Sequence, residues 1–165
     1  MNYASVQDLI DRFGEPELIQ LTDPLEQASV QQGRAQRALD DAHALADGLL
    51  SRVYVLPLAG CAKPAPEPGN PQAVQLVAPP QLTRIVCDIA RYYLYDDVAP
   101  DNAVAQRYKQ ARAELDLIAA GDATLTCPWG GEPGERLQTG KLGEGESLFQ
   151  FYPRSVADDV SGGYR

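Results

Sequence analysis

Apolar positions recur at helical spacing over most of the first 121 residues and then stop. Val6, Leu9, Ile10 and Phe13 form the first stripe. Ser5 stands before it as a candidate N-cap, with Asp8 in the capping-box position, and Gly14 stops the helix. A second short helix starts at Glu15-Pro16-Glu17-Leu18, where proline is tolerated in the first turn. Leu18, Ile19 and Leu21 are its apolar side, and Asp23-Pro24 ends it. A longer helix is predicted from about Arg34 to Val53. Ala35, Ala38, Leu39, Ala42, Ala46, Leu49, Leu50 and Val53 form one face; Arg37, Asp40, Ala44 and Asp47 form the opposite one. Gly48 costs about 1 kcal/mol there against alanine, which points to close approach by another helix.

The most apolar helix is predicted from Gln81 to about Tyr95. Leu82, Ile85, Val86, Ile89 and Tyr93 lie on one side; Arg84, Asp88, Arg91 and Tyr95 lie on the other. Arg84 and Asp88 are spaced to pair. The last helix is expected to start at Pro100-Asp101 with Asp101 as N-cap. Its stripe is Val104, Tyr108, Ala111, Leu115 and Ile118, with Gly121 as C-cap. Between the third and fourth helices, residues 57–80 form a loop with seven prolines, which deny it regular hydrogen bonding. The run AVQLV at 73–77 inside it has the composition of a short strand.

Beyond Gly121 the pattern changes. Residues 121–165 hold nine glycines and no helical stripe. LTCPWG at 125–130 and SLFQFY at 147–152 are the candidate short strands. The fold expected is mainly α: a small helical bundle over residues 1–121 with the Pro-rich loop 57–80, then an extended C-terminal arm over residues 122–165 with possible short β-strands.

Charge narrows the functional classes. The formal net charge is −9, from 23 acidic and 14 basic residues, which argues against a surface that grips phosphates. No run approaches the roughly 20 apolar residues that span a bilayer. The first residues have no basic or apolar signal pattern, so a cytosol-like compartment is expected. The three cysteines are widely spaced, without a C-x-x-C, and match neither a disulfide framework nor a zinc site. Cys87 lies on an apolar helical face and reads as a small core residue. Cys61 and Cys127 fall in loops and read as free thiols.

Catalytic chemistry is missing from the pattern. His43 is the single histidine, sits between two alanines on a helix, and has no nucleophile turn beside it. It reads as a boundary residue of the helix face. TGKLG at 139–143 lacks the first glycine and the Ser or Thr of a phosphate loop and reads as a glycine-rich loop. The acidic pairs Asp40-Asp41, Asp96-Asp97 and Asp158-Asp159 do not sit in a calcium-loop frame. No catalytic residue, metal site or cofactor is expected, and no enzymatic activity.

Four stretches, in order, carry a resemblance: YASVQDLIDRFGEPELIQLTD at 3–23, YVLPLA at 54–59, LTRIVCDIARYYLY at 82–95 and RYKQARAELDLIAAG at 107–121. Together they resemble the small neck proteins of Mu-like phages and prophages. That group is similar to the head–tail connector (adaptor) proteins of other long-tailed phages. The resemblance covers residues 3–121, and the combination of RFG, LPL and CDIARY-LY is its most specific part. It implies a virion structural protein without catalytic residues. Such an adaptor forms a ring of about twelve copies, binds the portal protein and neighbouring copies of itself, and joins them to downstream neck or tail proteins. Its place is the virion neck, and the host cytoplasm during assembly.

The arm suits that role on its own chemistry. Phe149, Phe151, Tyr152 and Tyr164 are candidate anchors on a portal or neighbouring subunit, since aromatics dominate interface hot spots. Phe149 and Phe151 alternate as a strand requires, with Gln150 opposite. Arg154 and Arg165 are placed to pair with partner carboxylates. Ordering the arm costs roughly 1–2 kcal/mol per residue, so its contacts must be extensive. The acidic charge fits a lumen through which DNA slides without specific binding. Two other readings are a head-closure or tail-terminator neck protein, of a type more often built on β-sheets, and a non-viral cytosolic helical binding or regulatory module.

Overall fold

The structure is a computed structural model and describes residues 1–64, 70, 73–95 and 102–137. It is mainly α. Five helices, α1 (Val6–Phe13), α2 (Glu15–Thr22), α3 (Gln32–Leu50), α4 (Pro80–Leu94) and α5 (Ala103–Ala120), accompany one antiparallel pair, β1 (Cys61–Pro64) and β2 (Val74–Val77). The predicted run 73–77 therefore forms a strand. LTCPWG does not: within residues 122–137 the ladder pairing is a single bridge, Arg136 with Tyr54.

The helix starts follow from local chemistry. Ser5 Oγ accepts from the Asp8 N–H at 3.3 Å, and Asp8 Oδ2 accepts from the Ser5 N–H at 2.7 Å, so the expected capping box closes. Gly14, at φ +88°, ends α1 and serves as N-cap of α2, so the two short helices share one joint. Gly121 ends α5 in the left-handed conformation. The N-cap of α5 is Asn102, whose side chain accepts from the Val104 N–H at 2.9 Å; Asp101, the expected cap, lies outside the described residues.

α4 is the centre of the bundle, packed between α3 and α5 with α1 beside it. The predicted stripe of α3 is buried from Ala35 to Leu50. Burial of each leucine, such as Leu39 or Leu50, stabilises the fold by roughly 1.5–3 kcal/mol. Gly48 marks no close approach: it is exposed, and a Cβ there would meet nothing.

The two sides expected of α4 need correcting. Residues 85–90 are all buried, including Cys87 and Asp88, because α1 covers the side that carries them. Tyr93, expected on the apolar side, is 37% exposed. It neighbours Tyr108 of α5, which stacks on Tyr92 with centroids 4.1 Å apart.

Residues 122–137 return across the segment between α3 and β1. The Val55 N–H donates to Glu135 O, the Gly60 N–H to Pro133 O, and the Leu137 N–H to Val53 O. Leu125 is buried, and its N–H donates to the hydroxyl of buried Tyr54 at 3.1 Å. This return corrects the reading of two cysteines. Cys61 and Cys127 are a disulfide, with Cα atoms 5.4 Å apart across 66 positions of sequence. β1 turns Cys61 inward, and the returning chain brings Cys127 to it.

Candidate functional site

Two of the stretches that carry the resemblance, residues 3–23 and 82–95, meet where α1, α2 and α4 join. Arg91 of α4 reaches Glu17 of α2 at 2.6 Å, and the Tyr95 hydroxyl donates to the same carboxylate at 3.0 Å. The Arg91 guanidinium also lies 4.5 Å from the ring centre of Phe13. Thus Phe13 of RFG, Glu17 of the second helix, Arg91 of the fourth and Tyr95 at its C-cap form one cluster.

Beside it runs a cleft of about 280 Å³ lined by Arg12, Phe13, Arg84, Asp88, Arg107 and Gln110. Burial pushes the Asp88 carboxyl above its ordinary value, and Arg84, Arg107, Arg12 and Arg91 pull against that rise. Arg84 divides itself between Asp88 at 3.6 Å, the pairing expected from sequence, and Glu114 of α5 at 2.5 Å. Burial also pushes the neighbouring Cys87 thiol up to about 12, which keeps it protonated and unreactive. Arginines from α1, α4 and α5 thus surround one buried carboxylate.

His43 is built into a different tie. Its Nε2 accepts from the Ala4 N–H at 3.1 Å, and the Tyr3 ring meets it edge-on. The Tyr3 hydroxyl donates to Asp47. Burial lowers the His43 pKa, partly offset by Asp40 and Asp47. The imidazole fastens the N-terminal residues to α3, with its acceptor nitrogen already used.

YVLPLA has a structural role too. Tyr54 and Leu58 are buried, the Leu56–Pro57 bond is cis, and Arg136 lies 5.9 Å over the Tyr54 ring. Among the described residues no group of three or more His, Cys, Asp or Glu is placed to hold a metal.

The arm residues singled out from sequence, Phe149, Phe151, Tyr152, Arg154, Tyr164 and Arg165, lie outside the described residues. So do the loop at 139–143 and the pairs Asp96-Asp97 and Asp158-Asp159. Sequence reading missed the junction of Phe13, Glu17 and Arg91, whose members are up to 78 positions apart. Its one sequence signal was that RFG and CDIARY-LY occur in the same chain.

Comparison with known proteins fits the same stretches. The family model described as Bacteriophage Mu, Gp36 matches residues 3–142. Gene product J of Escherichia phage Mu is 30% identical over 151 residues, covering 91% of this chain and 89% of that protein. The Mu-like prophage FluMu protein gp36 of Haemophilus influenzae is 32% identical over 123 residues, 74% of each chain. The chain belongs to the bacteriophage Mu Gp36 family and is a Mu-like phage protein.

Proposed function

We propose that the protein is an adaptor in the phage neck, binding the portal ring and joining it to the downstream neck or tail proteins. Family membership points to a part in phage structure or assembly, and the match to gene product J over nine-tenths of both chains is the observation that carries the proposal. The geometry supports a binding role. Ion pairs tie α4 to α2 through Arg91–Glu17 and to α5 through Arg84–Glu114, which favours a preformed helical body.

On this reading the body packs against copies of itself in a ring of about twelve. Phe149, Phe151, Tyr152, Arg154, Tyr164 and Arg165 contact the portal or a neighbouring subunit. Main-chain pairing and aromatic anchors are a recurring way for an extended segment to bind. The net charge of −9 is compatible with a path through which DNA slides without being gripped. The protein acts by binding alone, without cofactor or catalysis, in the virion neck.

The genetic test is deletion of the gene in the phage that encodes it. Filled heads and free tails that fail to join are expected, with joining restored by the full-length chain. Normal yields of joined particles from the deletion would refute the adaptor role.

A further inference from the structure

The cleft between α1, α4 and α5 carries more positive than negative charge. Arg12, Arg84 and Arg107 come to it from three helices, and the carboxylate among them is Asp88. Arg84 is shared between Asp88 and Glu114. The ion pairs of the described residues include neither Arg12 nor Arg107, and both residues are exposed. Arg12 has the neutral Cys87 thiol beside it. Three guanidiniums therefore meet two carboxylates. Gln110 adds an amide, and half-buried Phe13 adds an apolar wall. A guanidinium fork matches a further carboxylate in geometry and in charge. Acidic groups are plentiful elsewhere, since the whole chain holds 23 acidic residues against 14 basic.

The turn after α2 presents one of those groups together with an apolar side chain. Leu25 is 94% exposed, and Glu26 is exposed beside it. Hydrogen bonds fix the turn that holds them out. The carboxylate of buried Asp23 accepts from the N–H groups of Glu26 at 3.3 Å and Ala28 at 3.1 Å, and its carbonyl accepts from the Gln27 N–H at 3.0 Å. Thr22 Oγ1 accepts the Gln31 N–H at 3.0 Å and closes the far side. A turn ordered in advance loses little freedom on binding. Within one molecule turn and cleft do not meet, since Leu25 is exposed and the 8 residues of α2 hold the turn roughly 12 Å from Phe13.

We propose that the Leu25-Glu26 turn of one copy enters this cleft on the next copy, with Glu26 between Arg12 and Arg107 and Leu25 against Phe13. Cleft and turn are different patches, so the contact is head-to-tail. Such contacts close into rings or run on as filaments, whereas two clefts face to face would set arginine against arginine. The inference supplies a subunit contact for the ring proposed above and rests on that reading for closure.

The test is cross-linking of the full-length protein carrying Ala28→Cys and Gln110→Cys with a short bismaleimide, once in concentrated solution and once after sedimentation with the cognate portal ring. The native thiols do not interfere, since Cys61 and Cys127 are paired and Cys87 is buried. The expected product is a ladder of linked chains beyond the dimer, at least tenfold more abundant than with the control pair Ala28→Cys and Ala44→Cys. No ladder above the control in either sample, or products that stop at the dimer, overturns the proposal. Glu26→Arg and Arg107→Glu, each placed in the linkable chain, should cut the ladder at least fivefold. The two together should restore it to within twofold of the parent. A double swap that does not restore it assigns the arginines to another anion, such as a DNA phosphate, and overturns the proposal equally. A ladder from the free protein without portal co-sedimentation keeps this contact and removes the neck reading. Co-sedimentation without a ladder removes this contact alone.

Discussion

Arg91 and Glu17 stand 74 positions apart in sequence and 2.6 Å apart in the fold, with most of both side chains withdrawn from water. The guanidinium is shared between this carboxylate and the Phe13 ring, so one residue holds α1, α2 and α4 at fixed angles. Removing either partner leaves the other charge partly buried. Arg91→Ala is expected to lose roughly 1.5–3 kcal/mol of stability. Arg91→Lys should lose less, because it keeps the charge without the planar fork. Urea midpoints of the two variants check this; equal midpoints for Arg91→Ala and the parent would show that the junction does not hold the helices.

Tyr54 makes a similar tie at the other end of the body. Its hydroxyl accepts the Leu125 N–H, and both residues are buried. Tyr54→Phe keeps the packing and leaves that N–H without a partner, at a cost of about 1–3 kcal/mol. Thermal unfolding is the direct check. Amide exchange at Leu125 should quicken more than exchange inside α4.

His43 predicts a pH effect with a definite sign. Burial lowers its pKa in the folded chain from the ordinary 6.5. The unfolded chain therefore takes up the proton first as pH falls. Stability from the neutral imidazole is complete above about pH 6.5, falls as the pH drops below that, and levels off beneath the folded value. The carboxylates of Asp40 and Asp47 temper the drop, and the chain's own N-terminal charge deepens it. His43→Gln keeps an acceptor for the Ala4 N–H and should flatten the loss between about pH 7.5 and pH 5. The comparison is made on urea midpoints at the two pH values, and parallel profiles would contradict the assignment.

The Cys61–Cys127 disulfide closes a loop of 66 positions. Loop-closure arguments assign such a bond about 2–4 kcal/mol. Reduction should lower the melting temperature of the parent and leave Cys127→Ser unaffected. The loosened region should be the hairpin and residues 122–137, not α3 or α4. Exchange rates before and after reduction separate the two, and uniform loosening would contradict the local role.

What could be read from sequence was local. Ser5 and Asp8 close their capping box within one turn, and Gly121 caps α5 by its own conformational freedom. The α3 stripe needed only helical spacing. What could not be read was set by distant chain. Asp88 looked like a solvent-facing residue because nothing in α4 announces that α1 covers it. Cys61 and Cys127 looked like free thiols because their meeting depends on the return of residues 122–137. The pairing of Arg91 with Glu17 was invisible for the same reason, although both motifs were recognised separately. The strand at 74–77 was legible, but its register with β1 was not.

The adaptor role is tested most directly by co-sedimentation with the cognate portal ring, the full-length chain beside a truncation ending at Ser147. The account predicts that the full-length protein sediments with the portal in ring-like stoichiometry and that the truncation stays behind. Binding by both would move the contact to the helical body and remove Phe149, Phe151 and Tyr152 from it. A full-length chain left in the supernatant would contradict portal binding itself.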